Sequence, residues 1–268
     1  MKITPIPCLE DNNADKGPIA CYSLSPPSYA YLLVDERTNK SALIDPVEPH
    51  KVLPVVQQAG ANLECILTTH HHLDHAGGNN EIVSKVPDLR VYGGDGRVQG
   101  VTYQIKDREE IGLGTLKITA YWTVGHTMSS VSYFVEDNVT GEKAVFTGDT
   151  LFIAGCGKFF EGTAEDMYNS LIKVLGSFPS DTLVYCGHEY TRSNLRFAIT
   201  VDPDNEAIQE KTKWAADNKS TVPSTIDEEK RINPFLRIEE EQIKKVTGKT
   251  DPVEVLAELR EMKNRFRG

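Results

Sequence analysis

Residues 68–78 read TTHHHLDHAGG, and positions 70–75 of that run carry four of the chain's seven histidines and one aspartate. Imidazole is costly to bury without a partner. Such a run is therefore either a solvated turn or part of a metal site. The choice constrains the whole fold, because a metal site needs more donors than one turn can aim at one point. His70, His72, Asp74 and His75 cannot all reach a single ion: His70 and His72 point the same way, whereas the adjacent Asp74 and His75 are expected to point apart. Two ions divided among them is the solution that fits, since divalent zinc, iron and manganese accept imidazole nitrogen and carboxylate oxygen.

The remaining donors share an address with this cluster. Apolar, β-branched runs recur at 30–35, 41–46, 63–70, 89–94, 116–122, 131–137, 143–149 and 181–188, with turn residues between them. His70, Asp149 and His188 close three of these runs, and His126 follows a fourth. In open α/β sheets, sites assemble beyond the carboxyl ends of strands. His126, Asp149 and His188 would complete two three-ligand sets plus one bridge, while His50 and His71 read as ordinary polar residues. A helix is predicted over 49–60, ending at Gly60, and another over 163–178 with Thr163 as its N-cap. After Tyr190 the strand pattern stops and helical segments follow at 205–219, 239–248 and 251–266. The expected organisation is a catalytic domain over 1–189 and a helical substrate-binding domain over 190–268, with the Asn-, Asp-, Pro- and Ser-rich stretch 9–29 as a surface loop.

Composition narrows the function classes. A chain of 268 residues can bury a sizeable core. A net charge of −10 without a basic run argues against nucleic acid as a partner. The five cysteines are scattered and form no CxxC pair, which reads as free thiols in a reducing compartment. The start carries no apolar leader and no run reaches membrane length, so the expected location is the cytosol, with a mitochondrial form as the alternative. GGDGRVQG, residues 93–100, has the wrong spacing for a dinucleotide loop, and Cys156 has no histidine marked as its base.

The last helix has a readable design. Asp251 with Glu254 resembles a capping box, and Pro252 sits at the first helical position. Val255, Leu259, Met262 and Phe266 share one face, suited to packing, and Arg260, Lys263 and Arg267 fall on the adjacent one.

THHHLDH resembles the THxHxDH signature of the metallo-β-lactamase superfamily, and FTGDTLFIAGCGKFFEG, YCGHEYT and NPFLR (233–237) resemble glyoxalase II, the hydroxyacylglutathione hydrolases. The resemblance spans nearly the whole chain. It implies an α/β fold, the metallo-β-lactamase-type αββα sandwich, with a C-terminal all-helical domain. It also implies two divalent ions, zinc first with iron or manganese as alternatives. One ion would take His70, His72 and His126; the other Asp74, His75 and His188. Asp149 and a hydroxide would bridge them, and Asp45 would be the carboxylate that orients the site. Lys158, Tyr190, Arg260 and Lys263 match the family's glutathione contacts. Phe160 stands where many members have tyrosine, so one hydroxyl is missing there, and Ser28 stands where an asparagine is common.

The activity so implied is hydrolysis of S-D-lactoylglutathione and other S-2-hydroxyacylglutathione thioesters to glutathione and D-lactate, the second step of methylglyoxal detoxification, by a monomer. Two rivals are a mononuclear iron sulfur dioxygenase of the same superfamily and a zinc-stabilised binding module without catalysis. The full ligand set and the helical tail speak against both.

Overall fold

The computed structural model describes residues 1–10 and 27–268; most of the loop expected at 9–29, and Cys21 with it, lies outside the described residues. The chain divides into two compact units, Met1–Trp122 with Val131–Gly148, and Thr123–Ser130 with Asp149–Gly268. This division by packing falls elsewhere than the composition shift near residue 190.

The first unit opens with β1 (Lys2–Cys8), β2 (Ser28–Asp35) and β3 (Lys40–Ile44), paired antiparallel. Then α1 (Pro49–Ala59) leads to β4 (Asn62–Leu67), α2 (Leu73–Ala76), α3 (Asn79–Lys85), β5 (Arg90–Gly93) and β6 (Tyr103–Gln104). From β3 onward this sheet is parallel, in the order β1-β2-β3-β4-β5-β6. β1 was not expected from the sequence, because Pro5 and Pro7 interrupt its pattern. It is an edge strand, where a missing N–H costs no ladder bond. α1 begins with proline in its first turn and ends at Gly60 in the left-handed region, as its sequence predicts.

A second sheet in this unit is an antiparallel meander of β7 (Glu110–Leu113), β8 (Leu116–Trp122), β9 (Val131–Asp137) and β10 (Lys143–Gly148). Alternation along β2 separates the two layers. Ala30, Leu32 and Val34 join Val52 and Val56 of α1 and Ile82 of α3 in one core. Tyr31 points the other way, its ring 5.3 Å from Phe146 of β10. Each fully buried aliphatic side chain stabilises by roughly 1.5–3 kcal/mol. That layered burial fixes the strand ends from which the site residues project.

The second unit takes in Thr123–Ser130 and then, after Asp149, a small hairpin, β11 (Leu151–Phe152) and β12 (Gly155–Cys156). Thr163 caps α4 (Ala164–Tyr168) in a full capping box with Asp166. The single helix predicted over 163–178 is not continuous: a π-helical stretch takes over at Asn169–Val174 and a 3-10 turn at Leu175–Ser177. β13 (Leu183–Cys186) follows, then α5 (Thr191–Val201), α6 (Glu206–Asp217), β14 (Ser224–Thr225), α7 (Ile226–Ile232), α8 (Glu241–Thr247) and α9 (Pro252–Arg265). Phe152, Ile153 and Ala154 of the hairpin share a core with Leu195 and Ala198 of α5, Ile208 of α6 and Ile232 of α7. In α9, Asp251 accepts from the N–H groups of Val253 and Glu254, whereas the Glu254 carboxylate lies 3.7 Å from Lys249 instead of completing the box.

Candidate metal centre

In the first unit the turn after β4 is anchored from the second sheet. The Tyr133 hydroxyl donates to the Thr68 carbonyl at 3.0 Å, and the Val131 N–H donates to the Thr69 carbonyl at 2.8 Å. Gly148, at φ +48°, ends β10 against this turn; a Cβ there would lie 2.5 Å from Thr69 Oγ1. Asp45, just past β3, adopts φ +47°, uncommon for a residue with a side chain and a form of strain often found at functional sites.

The buried Asp45 carboxylate organises the donors. The Thr69 N–H donates to its Oδ1 at 2.7 Å and the Thr69 hydroxyl to its Oδ2 at 2.6 Å, while His75 Nδ1 lies 2.9 Å from the same Oδ2. A carboxylate only accepts, so His75 carries its proton on Nδ1. With the Thr69 hydroxyl proton committed to Asp45, His70 Nδ1, 3.1 Å from Thr69 Oγ1, is the donor in that contact. Both rings are thereby left with a lone pair on Nε2. His70 Nε2 and His72 Nδ1 are 3.1 Å apart, the rings of His70 and His75 lie 4.2 Å apart, and His75 Nε2 is 4.0 Å from Asp74 Oδ2. The donors thus form a row: His72, His70, His75, Asp74. Asp74 and His75 were expected to point apart, but they sit in α2, where neighbours diverge by about 100° rather than the 180° of a strand.

The second unit holds a shorter row. His126 Nε2 lies 3.6 Å and His188 Nε2 3.4 Å from the same Asp149 Oδ2, and all three residues are buried. His126 Nδ1 is 2.9 Å from the Lys158 carbonyl, an acceptor only, so this ring also keeps its lone pair on Nε2. Gly157 permits the local packing: a Cβ there would sit 1.9 Å from the Asp149 carbonyl. The Tyr190 ring stacks on His188 at 4.8 Å, and Phe160, 63% exposed, sets its ring 5.1 Å from His126. Buried imidazoles with their proton-free nitrogens turned toward carboxylate oxygens are a donor set suited to divalent cations.

The cations of α9 are more committed than the sequence suggested. Arg260 is buried, donating from Nη1 to the Cys156 carbonyl at 2.8 Å and from Nε to Asn264 at 3.1 Å. Lys263 donates to the Ser193 carbonyl at 2.9 Å. Burial first, then the charges of Arg260 and Arg196, pushes its ammonium down to about 8. Lys158 is exposed at its side chain, and the carbonyl that fixes His126 is main chain. Burial pushes the Cys156 thiol up to about 11, which leaves it no nucleophilic role. Sequence reasoning missed Thr69 and the Lys158 carbonyl. The first was legible as a hydroxyl beside a ligand; a main-chain acceptor leaves no trace in side-chain identity.

Residues 26–188 match the family model described as the metallo-beta-lactamase superfamily, and residues 189–266 match the model described as the hydroxyacylglutathione hydrolase C-terminus. The chain is 44% identical to the cytoplasmic hydroxyacylglutathione hydrolase of Arabidopsis thaliana, all of both chains being covered. It is 48% identical to a probable hydroxyacylglutathione hydrolase of Schistosoma mansoni, over 84% of this chain and 98% of that one. Among solved structures, ETHE1 from Myxococcus xanthus is similar with a TM-score of 0.65 and 29% identity, over 90% of this chain and 88% of that one. TTHA1623 in a di-iron-bound form is similar with a TM-score of 0.54 and 25% identity, over 79% and 96%.

Proposed function

We propose that this chain, which belongs to the hydroxyacylglutathione hydrolase family within the metallo-β-lactamase superfamily, hydrolyses S-2-hydroxyacylglutathione thioesters, S-D-lactoylglutathione first among them, to glutathione and the free 2-hydroxy acid. It is a metal-dependent hydrolase. The observation that carries the reading is the match of both parts of the chain, superfamily domain and family-specific tail, in one protein that keeps all seven donors.

We assign one ion to His70, His72 and His126, the other to Asp74, His75 and His188, and Asp149 to both. The donor rows within each unit support this division. His72 and His70 form one end of the first row and His75 and Asp74 the other, while Asp149 Oδ2 stands between His126 and His188. Zinc is the proposed metal, with iron and manganese compatible with the same donors; a di-iron form is the state of one structural relative. Two such ions would lower the pKa of a water toward neutrality and polarise the thioester carbonyl.

The chain's own residues do the rest. Asp45 and the Lys158 carbonyl hold three imidazoles in the tautomer that turns Nε2 toward the centre. A thiol of pKa about 8.5 can depart as its thiolate, so no side chain has to protonate the leaving sulfur. Glutathione carries two carboxylates. Arg260, Lys263 and Lys158 are the proposed cations for them, with Tyr190 and Phe160 as ring surfaces beside His188 and His126. Arg260 Nε and Nη1 hold Asn264 and the Cys156 carbonyl, and Nη2 is the nitrogen proposed for such a contact. Residues 1–189 are proposed as the catalytic domain and 190–268 as the substrate-binding domain of a cytosolic monomer. Among the described residues no helix is long and apolar enough to cross a membrane.

The test pairs elemental analysis with a lactoylglutathione hydrolysis assay. Chelation should abolish turnover, and zinc, iron or manganese should restore it. Full activity in protein shown to be metal-free would refute the reading.

A further inference from the structure

We infer that Glu229, acting with Asn233, is a positioning residue: it clamps the turn of the β11–β12 hairpin so that the carbonyls just downstream hold Arg260 and His126 in place. The inference deepens the thioesterase reading and rests on it for what Arg260 and His126 do.

Glu229 lies in TIDEEKR, a charge run that reads as the solvated face of a short helix. The structure buries it completely. Burying a carboxyl is costly unless it is bonded, and its bonds all serve one object. The Ala154 N–H donates to Glu229 Oε2 at 2.9 Å, and Asn233 Nδ2 donates to the same oxygen at 2.9 Å. Ala154 is in the turn between Phe152 and Gly155 and adopts φ +55°, a conformation a residue with a side chain keeps only when its surroundings impose it. Glu229 supplies the acceptor its N–H needs there.

Asn233 completes the clamp. Its Nδ2 shares its two hydrogens among Glu229 and the carbonyls of Phe152 at 3.1 Å and Gly155 at 3.0 Å, while its Oδ1 accepts from the Phe235 N–H at 3.0 Å, which fixes the amide's orientation. Asn194 of α5 donates to the Ile153 carbonyl at 3.0 Å. The next carbonyl, Cys156, takes Arg260 Nη1 at 2.8 Å, and two residues on the Lys158 carbonyl takes His126 Nδ1. Four carbonyls around the turn, those of 152, 153, 155 and 156, are thus held by side chains of the tail. Packing alone would be met by an apolar residue at 229; an acceptor for Ala154 and an orienter for Asn233 would not.

The experiment compares Glu229→Ala with Glu229→Gln in the full, metal-loaded chain. The carboxamide oxygen can still accept from Ala154 and Asn233, so Gln should keep wild-type amide exchange, KM and metal content. Ala removes the acceptor. Amide exchange at Ala154 should then quicken about tenfold or more relative to the α1 amides, KM for lactoylglutathione should rise several-fold, and metal per folded chain should fall. Exchange and metal content are read without turnover, so they stand even if the chain hydrolyses no glutathione thioester. A merely structural role would lower the folded fraction with KM, metal content and relative exchange unchanged, and that result overturns the inference. So does a Gln variant as impaired as Ala.

Discussion

Phe160 shows how much one atom can be made to report. Its ring stands beside His126 and is 63% exposed, so a hydroxyl added to it enters water and pays no burial cost. Phe160→Tyr should therefore leave stability and metal content alone. If the family's tyrosine contact with glutathione is available here, one neutral hydrogen bond contributes about 0.5–1.5 kcal/mol. KM for lactoylglutathione should then fall a few-fold at most, with kcat unchanged; steady-state kinetics decide. A rise in KM at constant metal content would show that the pocket around this ring differs from its relatives'. The ligand residues were legible because their identity is their chemistry: His70, His72, Asp74, His75, His126, Asp149 and His188 are all donors by side chain. What orients them was only half legible. Asp45 came from resemblance and Thr69 was legible as a hydroxyl beside a ligand, whereas the Lys158 carbonyl is a main-chain acceptor that side-chain identity does not encode.

Among the elements, α9 carries two cations whose removal should have opposite effects on stability. Arg260→Ala strips the buried Cys156 carbonyl of its donor, a loss of about 1–3 kcal/mol, and KM for glutathione thioesters should rise with it. Lys263→Met should raise KM too, yet stability at neutral pH should hold or improve. Burial and the neighbouring cations depress the lysine's folded-state value from 10.5 to about 8. Its charge is therefore a penalty that is present in full below about pH 8 and fades as pH rises through 10.5. Thermal melts at pH 7 and kinetics on thioesters with and without the glycine carboxylate separate the two roles. Equal kinetic losses on both substrates would assign the helix to folding instead. The elements themselves were readable where an apolar, β-branched run is unbroken, as in β2, or where buried residues recur at helical spacing, as in α1. They were not where a rule is broken for a local reason: prolines on the β1 edge, or the winding change at Asn169 that ends α4.

At the scale of the molecule, Glu229 should tie stability to pH. Burial, with a smaller push from Glu228, raises its carboxyl from 4.5 to about 7 against the bonds from Asn233 and Ala154. A raised carboxyl value means the folded state holds a proton the unfolded chain has released, so stability falls as pH climbs from about 4.5 to 7. Glu229→Gln should remove that slope: its melting temperature should match wild type near pH 4 and exceed it at pH 8. Parallel curves for the two proteins across this range would show that the carboxyl is not strained by burial. The division into units has a further consequence. The chain leaves one unit for the other after Trp122, returns after Ser130 and leaves again after Gly148. A recombination joint at residue 189 would carry away α5 to α9 without the hairpin whose carbonyls Asn194, Asn233 and Arg260 hold. A recipient would inherit the cations and lose what aims them. A transferred block that keeps the proposed substrate cations with the hairpin that holds them would therefore start at Asp149, well before the tail begins, and carry Lys158, Phe160, Arg260 and Lys263 together.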